Sequence, residues 1–259
     1  METLMPLPWF YSLMLLILGL ILGSFYNVCI HRIPREESIV WPGSRCPHCQ
    51  HPLGVWDNLP LASFLLLRGA CRYCQTPISY QYPLIEGISG LVTVLLGWKF
   101  GLSGEFLQAL LLFAALLIVS VIDLHHQIIP DVITYPGILI GLIISGLSGA
   151  PGWVSSLIGV LIGGGVLWGL ALVYILLARR EGMGGGDIKL LAMIGAFQGW
   201  PGVLVTLLAG SFVGTVAGLI LILLWKKDRT FAIPFGPFLS FGAVIYLFFG
   251  PLLLQWYLG

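Results

Sequence analysis

The sequence predicts an all-α polytopic membrane protein of about eight transmembrane helices, with one zinc-binding cytoplasmic loop domain between the first two. Composition comes first: of 259 residues, 58% are hydrophobic and 9% charged, against about 25% charged in soluble domains. The apolar residues also fall into runs of bilayer-crossing length, roughly 17–25 residues. Four cysteines share a single polar stretch. A formal net charge of +1 excludes nucleic acid as a partner, because no basic face is available to neutralise phosphates.

The first run, near 11–30, is a retained helix and not a cleaved signal. Its N-terminal flank has no positive side chain and carries Glu2, while Arg32 and Arg35 follow it. Further spans are expected near 84–100, 105–122, 132–148, 154–178, 187–199, 202–225 and 237–257, separated by breaks rich in Pro, Gly or charge. The sixth is short. Alternating the spans puts eleven of the twelve Lys and Arg residues on one side, with only Lys99 opposite. Positive residues near helix ends stay in the cytoplasm, so the loops at 31–83, 123–131, 179–186 and 226–236 face it and both termini lie outside. The chain thus divides into a first helix (1–30), a cysteine loop domain (31–83) and a seven-helix membrane domain (84–259).

Within the loop, Cys46-Pro-His-Cys49 and Cys71-Arg-Tyr-Cys74 give C-x2-C-x21-C-x2-C, the spacing of a two-knuckle zinc site. Four thiolates close a tetrahedral shell, which makes such a site structural. Two disulfides are the competing reading, but they require an oxidising compartment. His48 and His51 are bystanders, and Cys29 is a small core residue.

Membrane-depth acids each need an account. Asp131, after Pro130, is explained as a helix cap. Asp187 has that explanation too, but it follows Gly184, Gly185 and Gly186 in "EGMGGGDIKL". Asp123, near the end of its span, faces the unfavourable end of a helix dipole. Its plainest structural role is pairing with His125, His126 or an arginine. The topology puts Asp123 and Asp187 at one depth. Two carboxylates forced together share a proton, giving an acid and a base in one site. The helix N-terminus favours an ionised Asp187 and the helix C-terminus a protonated Asp123. The bare glycine backbone lets an extended peptide pair alongside as a strand; its plainer role is a hinge. Paired acids beside a broken helix also suit an ion-coupled transporter with a cytoplasmic zinc module, or a scaffold without chemistry.

"GMGGGD" with the upstream "ID…PD" resembles the GxGD intramembrane aspartyl proteases. With the four cysteines, "GSFYNVCIHRIP" (Gly23 to Pro34) and "YPLIEG" (Tyr82 to Gly87), the chain is similar to the type IV prepilin peptidases. That resemblance implies a bacterial inner-membrane enzyme. It removes the leader of prepilin or pseudopilin substrates after a glycine, then methylates the new N-terminus with S-adenosylmethionine. It also implies catalytic roles for Asp123 and Asp187 and a methylation-linked cofactor role for Gly69. At the next position, where relatives carry lysine, this chain has Ala70. Glu86 matches a family acid that would contact the acceptor amine or the positive leader, with a salt bridge to Arg68 or Arg72 as its structural alternative. The partners expected are therefore the substrate and membrane lipid.

Overall fold

Apolar side chains recur along each long run without a polar face, so a helix there satisfies its backbone internally and offers lipid its whole surface. In the computed structural model, residues 7–179, 184–225 and 234–258 are described. Glu2, Arg180, Glu181, Gly182, Met183, Lys226, Lys227 and Arg229 lie outside them, including four of the cations used to orient the chain. Among the described residues, seven helices are long and apolar enough to cross a membrane. The chain forms two compact units, residues 2–106 and residues 107–259.

The first unit contains α1 (Trp9–Arg32), the short α2 (Ala62–Leu66) and α3 (Gln81–Phe100), with the cysteine loop between α1 and α3. α1 packs along α3 at backbone distance. A Cβ on Gly19 would stand 2.6 Å from the Ser89 carbonyl oxygen, and one on Gly23 would stand 2.7 Å from Glu86 Cα. In lipid there is no hydrophobic drive between helices, and such small-residue seams supply the packing that replaces it. At the other end of the pair, Trp98 Nε1 donates to Ser12 Oγ at 3.0 Å.

The second unit holds most of α4 (Gly104–His126), then α5 (Asp131–Ser148), α6 (Trp153–Ala178), α7 (Gly185–Trp225) and α8 (Gly236–Leu258). Its core joins Leu112, Leu116 and Val119 of α4 to Leu190, Leu191, Met193 and Ile194 of α7, with Leu239 and Ala243 of α8. α7 is too long for one crossing. It breaks at Gly199 (φ 70°, ψ −177°), so the short sixth and the seventh expected spans are its two halves. Pro201, just beyond, has no N–H to offer the carbonyl four residues back. That carbonyl, of Phe197, accepts instead from Gln108 Nε2 of α4 at 2.6 Å, and Ser148 Oγ donates to Gln108 Oε1 at 3.1 Å. α6 lies against the first half of α7 so closely that a Cβ on Gly159 would sit 2.5 Å from the Gly195 carbonyl oxygen.

Candidate active site

Asp123 sits in the last turn of α4, and its backbone carbonyl takes the N–H of Gln127, which ends the helix. The carboxyl group is buried, 5% exposed, and Oδ2 accepts the N–H of Gly236 at 3.0 Å. Gly236 opens α8, between Phe235 and Pro237, where the first amides have no partner within their own helix. The unfavourable end of α4 is thus offset by the favourable end of α8. No histidine does this work: His125 uses Nδ1 on the Val121 carbonyl at 2.8 Å. Only glycine fits at position 236, since a Cβ there would lie 2.6 Å from Asp123 Oδ2.

Asp187 is the third residue of α7, which begins at Gly185, so it stands inside the first turn and not at the cap. Its Oδ1 is buried with no hydrogen-bond partner among the described residues. Through Gly186, Ile129 and Gly236 the structure brings Asp123 and Asp187, distant in the chain, to one region of the second unit. Ile129 packs between their flanks: a Cβ on Gly186 would meet Ile129 Cβ at 2.8 Å, and one on Gly236 would meet Ile129 Cδ1 at 3.3 Å. Neither Gly236 nor Ile129 was anticipated; the Pro-Phe-Gly-Pro run at 234–237 was the available signal.

Two expectations change here. Gly185 and Gly186 are helical, so they do not form an extended edge for strand pairing; they present the free N–H groups of a first helical turn. Gly184 precedes the helix and is exposed. The dipole argument for unequal acid and base roles also loses its basis, because Asp123 meets a helix N-terminus as Asp187 does. Asp131 is the first residue of α5, and Pro130 stands at the cap position instead. Asp131 pairs with Lys189 of α7, whose ammonium also lies 5.4 Å from the Tyr135 ring centre.

In the first unit, Cys46, Cys49, Cys71 and Cys74 converge, with their sulfurs all within 4.8 Å of one another. No disulfide joins any of them. Cys46 Sγ and Cys74 Sγ stand 3.8 Å apart, and two sulfurs bound at about 2.3 Å to one tetrahedral ion stand about that far apart. The cluster fits a metal ion. Each pair sits on the same tight turn: the Gln50 N–H bonds the Cys46 carbonyl and the Gln75 N–H the Cys71 carbonyl, at 2.9 and 3.0 Å. Both glutamines have φ 58°. Cys74 Sγ donates to Thr76 Oγ1 at 3.3 Å, and hydrogen bonding to the Thr76 side chain, then to its backbone, holds that thiol's pKa down to about 6. His51 stacks on Tyr73, ring centres 3.6 Å apart, and neither it nor His48 joins the cluster.

Gly69 follows α2 with φ 70°; its N–H bonds the Phe64 carbonyl at 2.8 Å and its carbonyl takes the Ile78 N–H at 2.7 Å. It therefore closes the second cysteine turn. Glu86 is buried in α3 and makes neither expected salt bridge. Its Oε2 accepts the Leu61 N–H at 2.8 Å. Arg72 pairs instead with Asp57, at 2.8 Å.

Comparison with known proteins agrees with this division. The model for the bacterial peptidase A24 N-terminal domain matches residues 17–100, and that for the type IV leader peptidase family matches residues 110–219. A prepilin leader peptidase/N-methyltransferase of Stutzerimonas stutzeri is 38% identical, covering 96% of this chain and 94% of its own. Its Aeromonas hydrophila counterpart is also 38% identical, over 97% and 95%. That of Pseudomonas aeruginosa is 35% identical, over 97% and 94%. No solved structure matches. With relatives this similar along nearly the whole chain, and a buried acid pair in one unit and four converging cysteines in the other, the protein belongs to the type IV leader peptidase family, the prepilin leader peptidases/N-methyltransferases.

Proposed function

We propose that the chain removes the leader peptide of prepilins or pseudopilins, after a glycine, by aspartyl hydrolysis at Asp123 and Asp187, and then N-methylates the shortened product. The observation that carries the peptidase half is the convergence of a hydrogen-bonded carboxyl, Asp123, with one, Asp187, whose buried Oδ1 has no partner among the described residues. One carboxylate takes a proton from water as its oxygen attacks the scissile carbonyl. The other, protonated, donates to that carbonyl oxygen, and the tetrahedral carbon then expels the amine with a proton. The Gly236 N–H fixes the Asp123 rotamer. Gly184 and Gly185, with no side chain packed over them, let a peptide backbone and a small residue before the cut come close, while Gly186 makes room for Ile129.

The methylating half rests on the relatives' names, with S-adenosylmethionine as the methyl donor. Gly69 acts in this half by holding the second cysteine turn beside the cofactor. Zinc is the ion the four cysteines hold, in a closed and therefore structural shell. The enzyme sits in the bacterial inner membrane with site and cysteine loop toward the cytoplasm, an orientation supported by the distribution of Lys and Arg. A transporter role finds no support among the relatives. In detergent, Asp123→Asn and Asp187→Asn should each abolish cleavage while leaving folding and metal content unchanged; cleavage by either purified variant refutes the assignment. Mass spectrometry of a prepilin incubated with the wild type should show loss of the leader, then gain of one methyl group.

A further inference from the structure

The two stretches that carry the family resemblance in the first unit, "GSFYNVCIHRIP" and "YPLIEG", lie against each other where α1 meets α3. Gly23 brings the backbones together, with Glu86 and Ser89 directly opposite it. One turn along, Asn27 Nδ2 donates to the Tyr82 carbonyl at 3.2 Å and to that of Gly23 at 3.3 Å. This leaves three acceptors at the same seam. Asn27 Oδ1 and Ser89 Oγ are buried without any hydrogen-bond partner among the described residues. Asn27 is 4% exposed, Ser89 1% and Glu86 8%. Buried polar atoms are satisfied in the great majority of cases, so two orphans beside a buried carboxylate call for an explanation.

The cover over Glu86 is strained. Its Leu61 donor has φ 56° and ψ −45°, and the Ala62 N–H reaches back to the Pro60 carbonyl at 2.5 Å. That is a γ-turn of the rare, strained kind, on a residue whose side chain disfavours positive φ. Strain of this sort persists where the surrounding structure holds it, and it clusters at ligand sites.

We propose that Glu86, Asn27 and Ser89 form a buried receptor for a primary ammonium group. A carboxylate, an amide oxygen and a hydroxyl oxygen make three acceptors, and an ammonium brings three N–H donors and one positive charge. On entry the ammonium replaces the Leu61 N–H on Glu86, and the strained turn relaxes. Two molecules of the proposed reaction carry such a group: the product of leader removal, at its new N-terminus, and S-adenosylmethionine, at its amino-acid end. The inference deepens the methylating half of the proposed function and rests on it.

Binding to the purified full chain in detergent tests it in two arms. The first compares a peptide bearing the mature N-terminal sequence with the same peptide lacking its α-amino group. The second compares S-adenosylhomocysteine with methylthioadenosine, which lacks the amino-acid portion. In the wild type one amine-bearing ligand should bind at least tenfold tighter than its partner, and Glu86→Gln should shrink that ratio below twofold. The arm that responds identifies the source of the amine.

Ser89→Ala removes a hydroxyl that bonds nothing among the described residues, so it should fold with an unchanged or higher Tm and still weaken the same ligand at least threefold. Unchanged preference in both arms, in Glu86→Gln and in Ser89→Ala, overturns the receptor. If Glu86→Gln does not fold, Ser89→Ala decides alone. Wild-type cleavage and methylation are assayed in parallel. Their absence would count against the proposed function, whereas normal activity with unaltered amine preference would count against the receptor alone.

Discussion

Gly236 illustrates how much depends on a single missing methyl group. A side chain there would collide with Asp123 Oδ2, and the Gly236 N–H is the bond that holds this oxygen. Gly236→Ala should therefore lower cleavage about 100-fold, the scale of a 1 Å displacement at a reacting group, while metal content stays unchanged. The outward-facing pair of Lys189 and Asp131 offers the contrast. Exposed ion pairs contribute about 0–1 kcal/mol, so Asp131→Asn should keep most of the cleavage rate and shift Tm little. The two kinds of acid could be told apart in the sequence only partly. Asp123 was conspicuous because it ends an apolar span, and Asp187 because three glycines precede it. Their partners were not legible: Gly236 lies 113 residues from Asp123, and backbone donors leave no trace in composition. The same holds for Glu86, whose arginine candidates stood nearby in the chain while its partner is the Leu61 N–H.

At the scale of the element, α7 is the informative case. The interruption was visible in the sequence at Trp200-Pro201, and the span before it was read as short, but the break itself falls at Gly199. What sequence patterning could not supply is the clamp on the broken end, where Gln108 takes over the Phe197 carbonyl. Gln108 and Asp123 belong to one helix, Phe197 and Asp187 to the other, so this bond ties the two acid-bearing rods together at their far ends. Gln108→Leu leaves the carbonyl orphaned in a buried place, at a cost of about 1–3 kcal/mol. A lower melting temperature in detergent, with cleavage reduced well short of abolition, is the expected result. The glycine seam between α6 and α7 is less forgiving, because the atom opposite Gly159 is backbone and cannot rotate away. Gly159→Leu should prevent accumulation of folded protein, as monitored by size-exclusion chromatography.

For the molecule as a whole, each family match falls within one of the two compact units, residues 17–100 in the first and 110–219 in the second. The cysteines belong to one and the acid pair to the other. Purified protein should hold about one metal ion per chain, Cys71→Ser should lose it, and chelation should eliminate methyl transfer before it eliminates cleavage. Loss of both activities together on metal removal would contradict that separation. Gly69→Ala, strained at φ 70° and close to the Phe64 ring, should likewise weaken metal retention and methylation more than cleavage. Hydropathy and the spacing of the cysteine pairs revealed the span count and the metal motif, since both are properties of contiguous chain. The grouping of α3 with the cysteine loop was not visible, because it depends on glycines of α1 and α3 meeting across that loop.

The bond between Asp123 and Gly236 also has a bearing on biosynthesis. The acceptor lies in the second unit's first helix and the donor in its last, so a nascent polypeptide has no hydrogen-bonded dyad until α8 leaves the ribosome and inserts. Under the proposed assignment of Asp123 and Asp187, cleavage activity should therefore appear only after α8 has inserted.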